Sequence, residues 1–302
     1  MKTLIIMLVA GVVLSQLRIS AGNSSEVSAV GDLAAAKSLA FVAPWMALGW
    51  IFHLDTNSYL LIGIPLVVLF QRFVRQRPLR QLWVRDAAAF RLGLVGSVIA
   101  VLLILAPGYD LIFVAVPKKS WIVVLWLLCA VAGAVFAAFA ITQQRASTAR
   151  RALPSFISAV LIGMAIMATS ALASHHDIGV PLSKLFLLLK QFLLYFTVTF
   201  VLEEVAFRGA LDSHIYQLPT DGQRRGGSAW LSAIFLSALW GIWHLPLLPT
   251  GGAAAFAAAI PVLIIVHTLT GVPLSFCWRA SGTLVLPAAA HALIDSYRNC
   301  VQ

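Results

Sequence analysis

Two adjacent carboxylates stand inside an apolar stretch in the second half of the chain. Glu203 and Glu204 are the charged residues of the run FVLEEVAF, which Arg208 closes. An ionisable side chain at membrane depth costs roughly 2.5–3.5 kcal/mol on insertion scales, so it indicates a functional site. Glu204 and Arg208 are four residues apart and can pair on one helix face. Glu203 points about 100° away, and an unpaired carboxylate in a cavity suits a general base. The alternative is a solvated Glu-Arg pair at a helix end.

Imidazoles and a further carboxylate follow in later apolar runs. His244 closes the segment WGIWH, and His291 and Asp295 lie four residues apart on one helix face. A carboxylate combined with imidazoles in a membrane cavity can activate water, bind a metal ion or relay protons. His267 stands in the run IIVHT and is interpreted as a packing or supporting residue. The chain has no HExxH, GxSxG or Walker motif, which argues against the standard zinc-protease helix, a serine hydrolase elbow and a P-loop.

The elements that must position these residues are apolar helices. The chain of 302 residues is 61% hydrophobic and 11% charged, whereas a soluble domain is about 45–50% apolar and about 25% charged. These values exclude a disordered chain, a coiled coil, a collagen-like fibre and a cytosolic enzyme. We therefore predict an all-α, multi-pass transmembrane helical bundle of roughly eight to nine membrane helices. The predicted spans are residues 3–17, 58–74, 90–106, 121–142, 154–173, 184–206, 228–246, 252–270 and 283–297.

Three segments near the N-terminus fit this pattern less well. Residues 3–17 resemble either the apolar part of a signal peptide or a first membrane anchor, and Arg18 just behind them favours the anchor. Residues 18–40 are polar and rich in small side chains, which predicts a loop or linker. Residues 41–52 are apolar but short, which is typical of a tilted span, a re-entrant piece or an interfacial helix.

The distribution of arginine orients the chain. Alternation through the predicted spans places four arginine-bearing connections on one side, and the positive-inside rule makes this side cytoplasmic. These connections hold the arginines of residues 72–91, 145–151 and 224–225, and Arg279. The net charge of +10 therefore reflects topology, and no nucleic acid is expected as a partner. The cluster at 72–91 can in addition hold anionic lipid head groups. Asp212 and His214 are predicted to be solvated in a cytoplasmic loop.

Reactive side chains are concentrated in the second half, which divides the chain into two portions. Residues 1–150 are predicted to be membrane helices of unassigned role, with the N-terminal anchor or signal among them. Residues 151–302 are predicted to form the functional core, and its motifs lie within residues 185–298.

Three motifs in this core resemble those of the CPBP family. This family comprises the CAAX prenyl endopeptidases (Rce1-like) and bacterial relatives, among them bacteriocin-processing, immunity and lysostaphin resistance protein A-like proteins. Its motifs are EExxxR, FxxxH and a histidine followed four residues later by Asn or a similar polar residue. The corresponding residues are Glu203-Glu204-x-x-x-Arg208, Trp240-x-x-x-His244 and His291-x-x-x-Asp295. The resemblance covers about residues 185–298. Two departures are Trp240 in place of Phe and Asp295 in place of Asn.

The resemblance implies an intramembrane endopeptidase that hydrolyses a peptide bond. It assigns Glu203 as the base that activates the attacking water and His244 as the residue that positions or shares this water. It pairs Glu204 with Arg208, which holds the helix and the site in place.

The resemblance further assigns His291 and the residue at position 295 to stabilise the oxyanion of the tetrahedral intermediate. An ionised Asp cannot donate a hydrogen bond to an oxyanion. Asp295 must therefore be protonated, orient His291 or bind an ion.

The cofactor stays open at this stage. Glu203, His244 and His291 could bind zinc in an open three-ligand site, and a metal-free glutamate mechanism is slightly preferred. The expected substrate is a peptide or protein segment that enters from the cytoplasmic side or the membrane, because Glu203 lies near the cytoplasmic end of its predicted helix. A bacterial cytoplasmic membrane is the expected location, with membrane lipids around the protein.

Two other functions remain as alternatives. One is a non-proteolytic membrane scaffold or immunity protein of the same fold. The other is a proton-coupled transporter that uses Glu203, His244 and His291 as a relay, although the chain lacks the repeated halves that many transporters have.

Overall fold

The computed structural model describes residues 26–110, 112–113, 121–176, 178–180, 182–216, 226–248 and 252–301. Helices dominate these residues, and their strand pairing is limited to one isolated bridge between Val84 and Thr283. The long helices are α1 (Glu26–Phe52), α2 (Thr56–Leu69), α3 (Gly93–Asp110), α4 (Trp121–Gln143), α5 (Ala146–Ala173), α6 (Leu182–Thr199), α7 (Gly226–Trp243), α8 (Ala253–Ser281) and α9 (Val285–Val301). The shorter elements are two π-helical segments, π1 (Phe70–Val74) and π2 (Val205–Asp212), the 3-10 turns Leu79–Leu82 and Leu245–Leu247, and one helical turn, Ser213–Ile215.

Seven stretches of the described residues are long and apolar enough to cross a membrane. They are Ala34–Phe52, Thr56–Val74, Gly93–Asp110, Trp121–Gln143, Ala146–Ala173, Ala229–Leu247 and Ala253–Ser281. The predicted all-α bundle of membrane helices is thereby confirmed, and the chain is an integral membrane protein. Helices α6 and α9 cover most of the predicted spans 184–206 and 283–297 but are not among the seven. The predicted first span, residues 3–17, lies outside the described residues.

Helix α1 corrects two expectations for the N-terminal region. It runs from Glu26 to Phe52, so residues 26–40 are helical rather than a linker, and residues 41–52 end a long helix. The sequence DLAAAKSLA explains the difference, because Ala, Leu and Lys are strong helix formers. The small side chains of Ala34 and Ser38 are buried, so this part of the helix is a packing surface.

The contact between Asp212 and Arg279 corrects two further expectations. Helix α8 continues to Ser281, past the predicted end at residue 270, so Arg279 is helical and not in a loop. Its Nε donates to Asp212 Oδ1 over 2.8 Å, and both side chains are buried. The prediction of a solvated Asp212 is wrong, because pairing with a guanidinium offsets the cost of burying its carboxylate. His214, predicted to be solvated as well, is half-buried, with its ring edge-on to Phe70.

The helix predicted for residues 184–206 is interrupted just before the two glutamates. Helix α6 ends at Thr199, and a turn at residues 200–202 separates it from Glu203. Two contacts explain the interruption. The Trp83 indole N–H donates to the carbonyl oxygen of Phe200, and the missing side chain of Gly133 lets α4 approach the carbonyl oxygen of Thr197 closely. Both contacts hold backbone carbonyl groups at or just before the turn, and they therefore help to fix the position of Glu203 and Glu204.

An aromatic cluster joins the first half of the chain to the second. The indole N–H of Trp45 donates to the backbone oxygen of Tyr59 over 2.7 Å, and the Tyr59 hydroxyl donates to that of Trp243 over 2.8 Å. The rings of Trp45 and Tyr59 each lie 4.9 Å from that of Trp243. Because His244 follows Trp243, this cluster supports a predicted site residue from the N-terminal half.

Candidate active site

Glu203 is the accessible member of the glutamate pair. Its Oε2 accepts a hydrogen bond of 2.9 Å from the indole N–H of Trp240 and lies 3.7 Å from Nε2 of His244. The side chains of Glu203 and His244 are 18% and 20% exposed, whereas the side chain of Glu204 is fully buried. Of the two adjacent carboxylates, only that of Glu203 can therefore meet a substrate or water.

The hydrogen bond of His244 to its own helix determines which ring nitrogen faces Glu203. Nδ1 of His244 lies 2.8 Å from the backbone oxygen of Trp240. A carbonyl oxygen only accepts, so Nδ1 carries the hydrogen, and in the neutral ring Nε2 offers a lone pair toward Glu203. The arrangement leaves two acceptors, a carboxylate oxygen and an imidazole nitrogen, facing each other.

His267 lies against the same two residues. Its ring centroid is 4.2 Å from that of His244 and 4.8 Å from that of Trp240. Its Nδ1 donates to the backbone oxygen of Leu263 over 2.8 Å, so this ring too is held by its own helix. The sequence predicts a packing or supporting role for His267, and the structure places its ring against that of His244.

Glu204 lies between a guanidinium and an imidazole. Its Oε1 is 2.9 Å from Nδ1 of His291, and its Oε2 is 3.6 Å from Nε of Arg208, with all atoms of both charged groups buried. The guanidinium of Arg208 also lies 4.8 Å from the Trp240 ring. The distance of 3.6 Å is a charge contact rather than a hydrogen bond. The spacing of four residues anticipates the Glu204–Arg208 pair, but the contact to His291 joins residues that are distant in sequence.

Asp295 faces the other nitrogen of the His291 ring. Its Oδ2 is 3.6 Å from His291 Nε2, and its Oδ1 is 3.0 Å from Nη1 of Arg298. The ring of His291 therefore lies between two carboxylates, those of Glu204 and Asp295. Of the three roles that the sequence allowed for Asp295, this geometry favours orienting His291.

Trp240 connects the two halves of the site. Its indole N–H binds Glu203, its ring lies 5.3 Å from that of His291, and its backbone oxygen holds His244. The motif comparison identifies Trp240 only as a departure from the Phe of the family motif. The available signal was the indole N–H, because a buried indole usually finds a hydrogen-bond acceptor.

The six site residues predicted from the sequence fall into two neighbouring groups around this tryptophan. One group is Glu203 with His244, and the other is Glu204, Arg208, His291 and Asp295.

A zinc site would need Glu203, His244 and His291 to converge on one point. In the described part of the chain, no group of three or more His, Cys, Asp or Glu side chains is arranged to hold a metal ion. Each nitrogen of His291 already faces a carboxylate oxygen. The three candidate ligands as arranged therefore do not fit a zinc ion.

Comparison with known proteins locates a family in the second half of the chain. Residues 185–297 match the family described as type II CAAX prenyl endopeptidase Rce1-like. Searches of curated proteins and of solved structures gave no match. The matched region contains all six predicted site residues, and the family is generally one of proteases, which supports a CAAX protease-like function in the membrane. The resemblance seen in the three motifs is thereby confirmed: residues 185–297 match the Rce1-like model of the CPBP family.

Proposed function

We propose that the chain is an intramembrane endopeptidase in which Glu203 and His244 activate a water molecule to hydrolyse a peptide bond. The observation that carries this proposal is the separation of 3.7 Å between Glu203 Oε2 and His244 Nε2. With an ionised carboxylate and a neutral ring, both atoms are acceptors and cannot satisfy each other. One water molecule between them can donate a hydrogen to each, which directs its lone pair outward for attack.

Glu203 then acts as the general base. It takes the proton of the water as the oxygen attacks the carbonyl carbon, and it gives this proton to the amine nitrogen as the C–N bond breaks. The Trp240 N–H fixes the orientation of the carboxylate throughout. His244 holds the second hydrogen of the water, so it positions the nucleophile without changing its own charge.

His291 supplies positive charge for the oxyanion of the tetrahedral intermediate. The carboxylates of Glu203, Glu204 and Asp295 carry three negative charges, and two positive charges come from Arg208 and Arg298. A protonated His291 neutralises the remaining negative charge. Its Nε2 lies 3.6 Å from Asp295, beyond hydrogen-bond length. The carboxylate of Asp295 attracts the ring by charge, and the Nε2–H is not committed to a hydrogen bond with it, so this donor can bind a developing negative charge.

The proposed substrate is a peptide or protein segment that reaches the site from the cytoplasmic side or the membrane. A bacterial cytoplasmic membrane is the proposed location. The mechanism uses no metal ion, because the base, the water-positioning group and the oxyanion donor are all side chains of this chain.

Cleavage of a peptide library by the detergent-purified protein tests the proposal. Glu203→Gln keeps an acceptor for the Trp240 N–H but removes the base, so we expect a loss of about 10²–10⁴-fold in cleavage rate. His244→Asn should reduce the rate strongly as well. The matched controls are Asp86→Asn and His176→Asn, whose side chains are exposed and outside the site, and these should cleave as the wild type does.

Three results would contradict parts of this proposal. Equal cleavage by Glu203→Gln and the wild type would exclude Glu203 as the base. Loss of activity on adding a chelator, with recovery on adding zinc, would overturn the metal-free mechanism. A folded wild type that cleaves no member of the library would favour the scaffold function.

A further inference from the structure

A cavity lined by none of the six predicted site residues lies beside the connection between α2 and α3. Its volume is about 500 Å³, and its lining includes Arg72, Arg77 and Arg80 together with Trp83, Phe90 and Phe136. This volume is typical of a site for a small ligand. The combination of three guanidinium groups with three aromatic rings indicates a ligand that has both an anionic and an apolar part.

The three arginines of this cavity have no carboxylate partner among the described residues. The salt bridges of this connection are limited there to Arg85 with Asp86. Arg80 donates from Nε to the backbone oxygen of Ala87 over 2.8 Å, which leaves its terminal nitrogens for another acceptor. Three guanidinium groups that line one cavity without an acid repel one another, and a phosphate group would remove this repulsion.

Arg75, in the same loop, shows the contrast. Its Nη1 donates to Gln71 Oε1 over 2.7 Å and to the Gly209 oxygen over 3.1 Å, and its Nη2 donates to the Ser213 oxygen over 3.2 Å. The role of Arg75 is thus to hold the loop against the segment that follows the glutamates. The loop therefore has a structural arginine of its own, whereas the side chains of Arg72 and Arg77 make no hydrogen bond within the described part of the chain.

The walls of the cavity are fixed by contacts within the protein. Gln71 is fully buried, and its Nε2 donates to the Pro78 oxygen over 3.0 Å. The rings of Trp83 and Phe136 are stacked at 3.7 Å with an angle of 5° between their planes. The aromatic side of the cavity is therefore preformed, which lowers the entropy cost of binding.

The position of the cavity favours a membrane lipid over a soluble anion. It lies between the candidate spans Thr56–Val74 and Gly93–Asp110, where the chain leaves and re-enters the apolar region. Leu79 and Phe90 line the cavity and are themselves exposed, as is the nearby Phe73. Exposed apolar side chains beside guanidinium groups suit acyl chains attached to a phosphate at the membrane surface.

We propose that this cavity binds the phosphate group of an anionic phospholipid. The guanidinium groups of Arg72, Arg77 and Arg80 bind the phosphate oxygens, and Trp83, Phe90 and Phe136 contact the glycerol and the first part of the acyl chains. The proposal concerns binding alone and does not depend on the proteolytic function.

Binding is tested with dioctanoyl phosphatidylglycerol added to the full chain in a non-ionic detergent, with the unfolding temperature as readout. The variant Arg72→Gln/Arg77→Gln/Arg80→Gln should weaken the apparent affinity roughly tenfold or more. The matched control is Arg145→Gln/Arg150→Gln/Arg151→Gln, which removes the same charge from exposed arginines at the start of α5. We expect this control to bind as the wild type does. The cavity arginines are partly or fully exposed, so the triple variant should fold. If it does not fold, the single change Arg77→Gln should still weaken lipid binding by an intermediate amount.

Other ligands separate the sources of the anion. Dioctanoyl phosphatidylcholine has the same chains and the same phosphate, but its choline cation cancels the phosphate charge, so it should raise the unfolding temperature much less. Inorganic phosphate alone should have little effect. The proposal is overturned if inorganic phosphate acts as strongly as the anionic lipid, if both triple variants lose affinity equally, or if Arg77→Gln and the cavity triple variant bind as the wild type does.

Discussion

At the scale of single residues, the burial of Arg208 decides what Glu204 can do. Both side chains are fully inaccessible to solvent, so each charge depends on the other and, for Glu204, on His291. Breaking a buried ion pair by removing one partner costs about 3–5 kcal/mol, because an uncompensated charge remains. In the proposed mechanism, Arg208 and Glu204 therefore support Glu203 and His291 and do not themselves meet the substrate.

Comparison of two arginines of the site tests this assignment. We expect Arg208→Met to lower the free energy of unfolding by about 3–5 kcal/mol. Arg298→Met removes a partner of Asp295 whose side chain is 37% exposed, and it should cost at most about 1 kcal/mol, as exposed pairs do. Unfolding in mixed detergent micelles measures both. An equal loss in the two variants would contradict a special role for the buried pair.

Sequence spacing anticipates the contacts within one helix and misses those between helices. Glu204 with Arg208 and His291 with Asp295 are each four residues apart, and the structure places each pair 3.6 Å apart. The bond from Glu204 to His291 joins two segments that are 87 residues apart in sequence, and no local pattern specifies how they meet. The same limit explains why Asp212, polar and near an arginine in sequence, was assigned to a solvated loop although Arg279 buries it.

At the scale of elements, the turn before Glu203 depends on the close approach of α4 to α6. A Cβ atom on Gly133 would overlap the carbonyl oxygen of Thr197. This oxygen also accepts the N–H of Phe200 over 3.3 Å within the turn. Because a backbone atom cannot move aside as a side chain can, any larger residue at position 133 must push the two helices apart.

Two glycine substitutions test this approach. Gly133→Ala should destabilise the protein by about 1–3 kcal/mol, as overpacking does, and should reduce peptide cleavage because the turn carrying Glu203 shifts. Gly108→Ala is the matched control, since its Cβ would meet only Ile104 at an ordinary 3.7 Å. Replacing this helical glycine should stabilise the protein by roughly 0.5–1 kcal/mol. A neutral effect of Gly133→Ala would refute the role of this contact.

Membrane spans could be predicted from the sequence where the apolar run is uniform. The end of a span could not be predicted where apolar residues continue past the end of the helix. The candidate span Trp121–Gln143 differs from the predicted 121–142 by one residue. The predicted span 184–206, in contrast, ignores the turn at 200–202, because apolar side chains continue through it while Trp83 takes the Phe200 carbonyl oxygen. A hydropathy profile does not detect a hydrogen bond between a backbone carbonyl group and a side chain that is distant in sequence.

At the scale of the whole molecule, the core includes residues of both halves of the chain. Trp45 and Tyr59 contact Trp243, and Arg75 binds backbone oxygens of Gly209 and Ser213. The division into residues 1–150 and 151–302 stays a prediction about function. In packing terms, the N-terminal half supports the residues on either side of the proposed site.

The side from which a substrate would enter depends on the orientation of the bundle, and labelling of single cysteines tests it. Helices α3 and α4 separate the arginine-rich connection before α3 from the connection between α4 and α5, so both lie on one side, which the positive-inside rule makes cytoplasmic. Helix α5 then crosses to the opposite side at residues 174–176.

With Cys129, Cys277 and Cys300 replaced by Ser, Arg150→Cys should react with a membrane-impermeant maleimide only in inverted vesicles. The control His176→Cys, equally exposed, should react only in intact cells. Labelling of both from one side would show that α5 does not cross, and the reverse pattern would move the proposed site to the outer face.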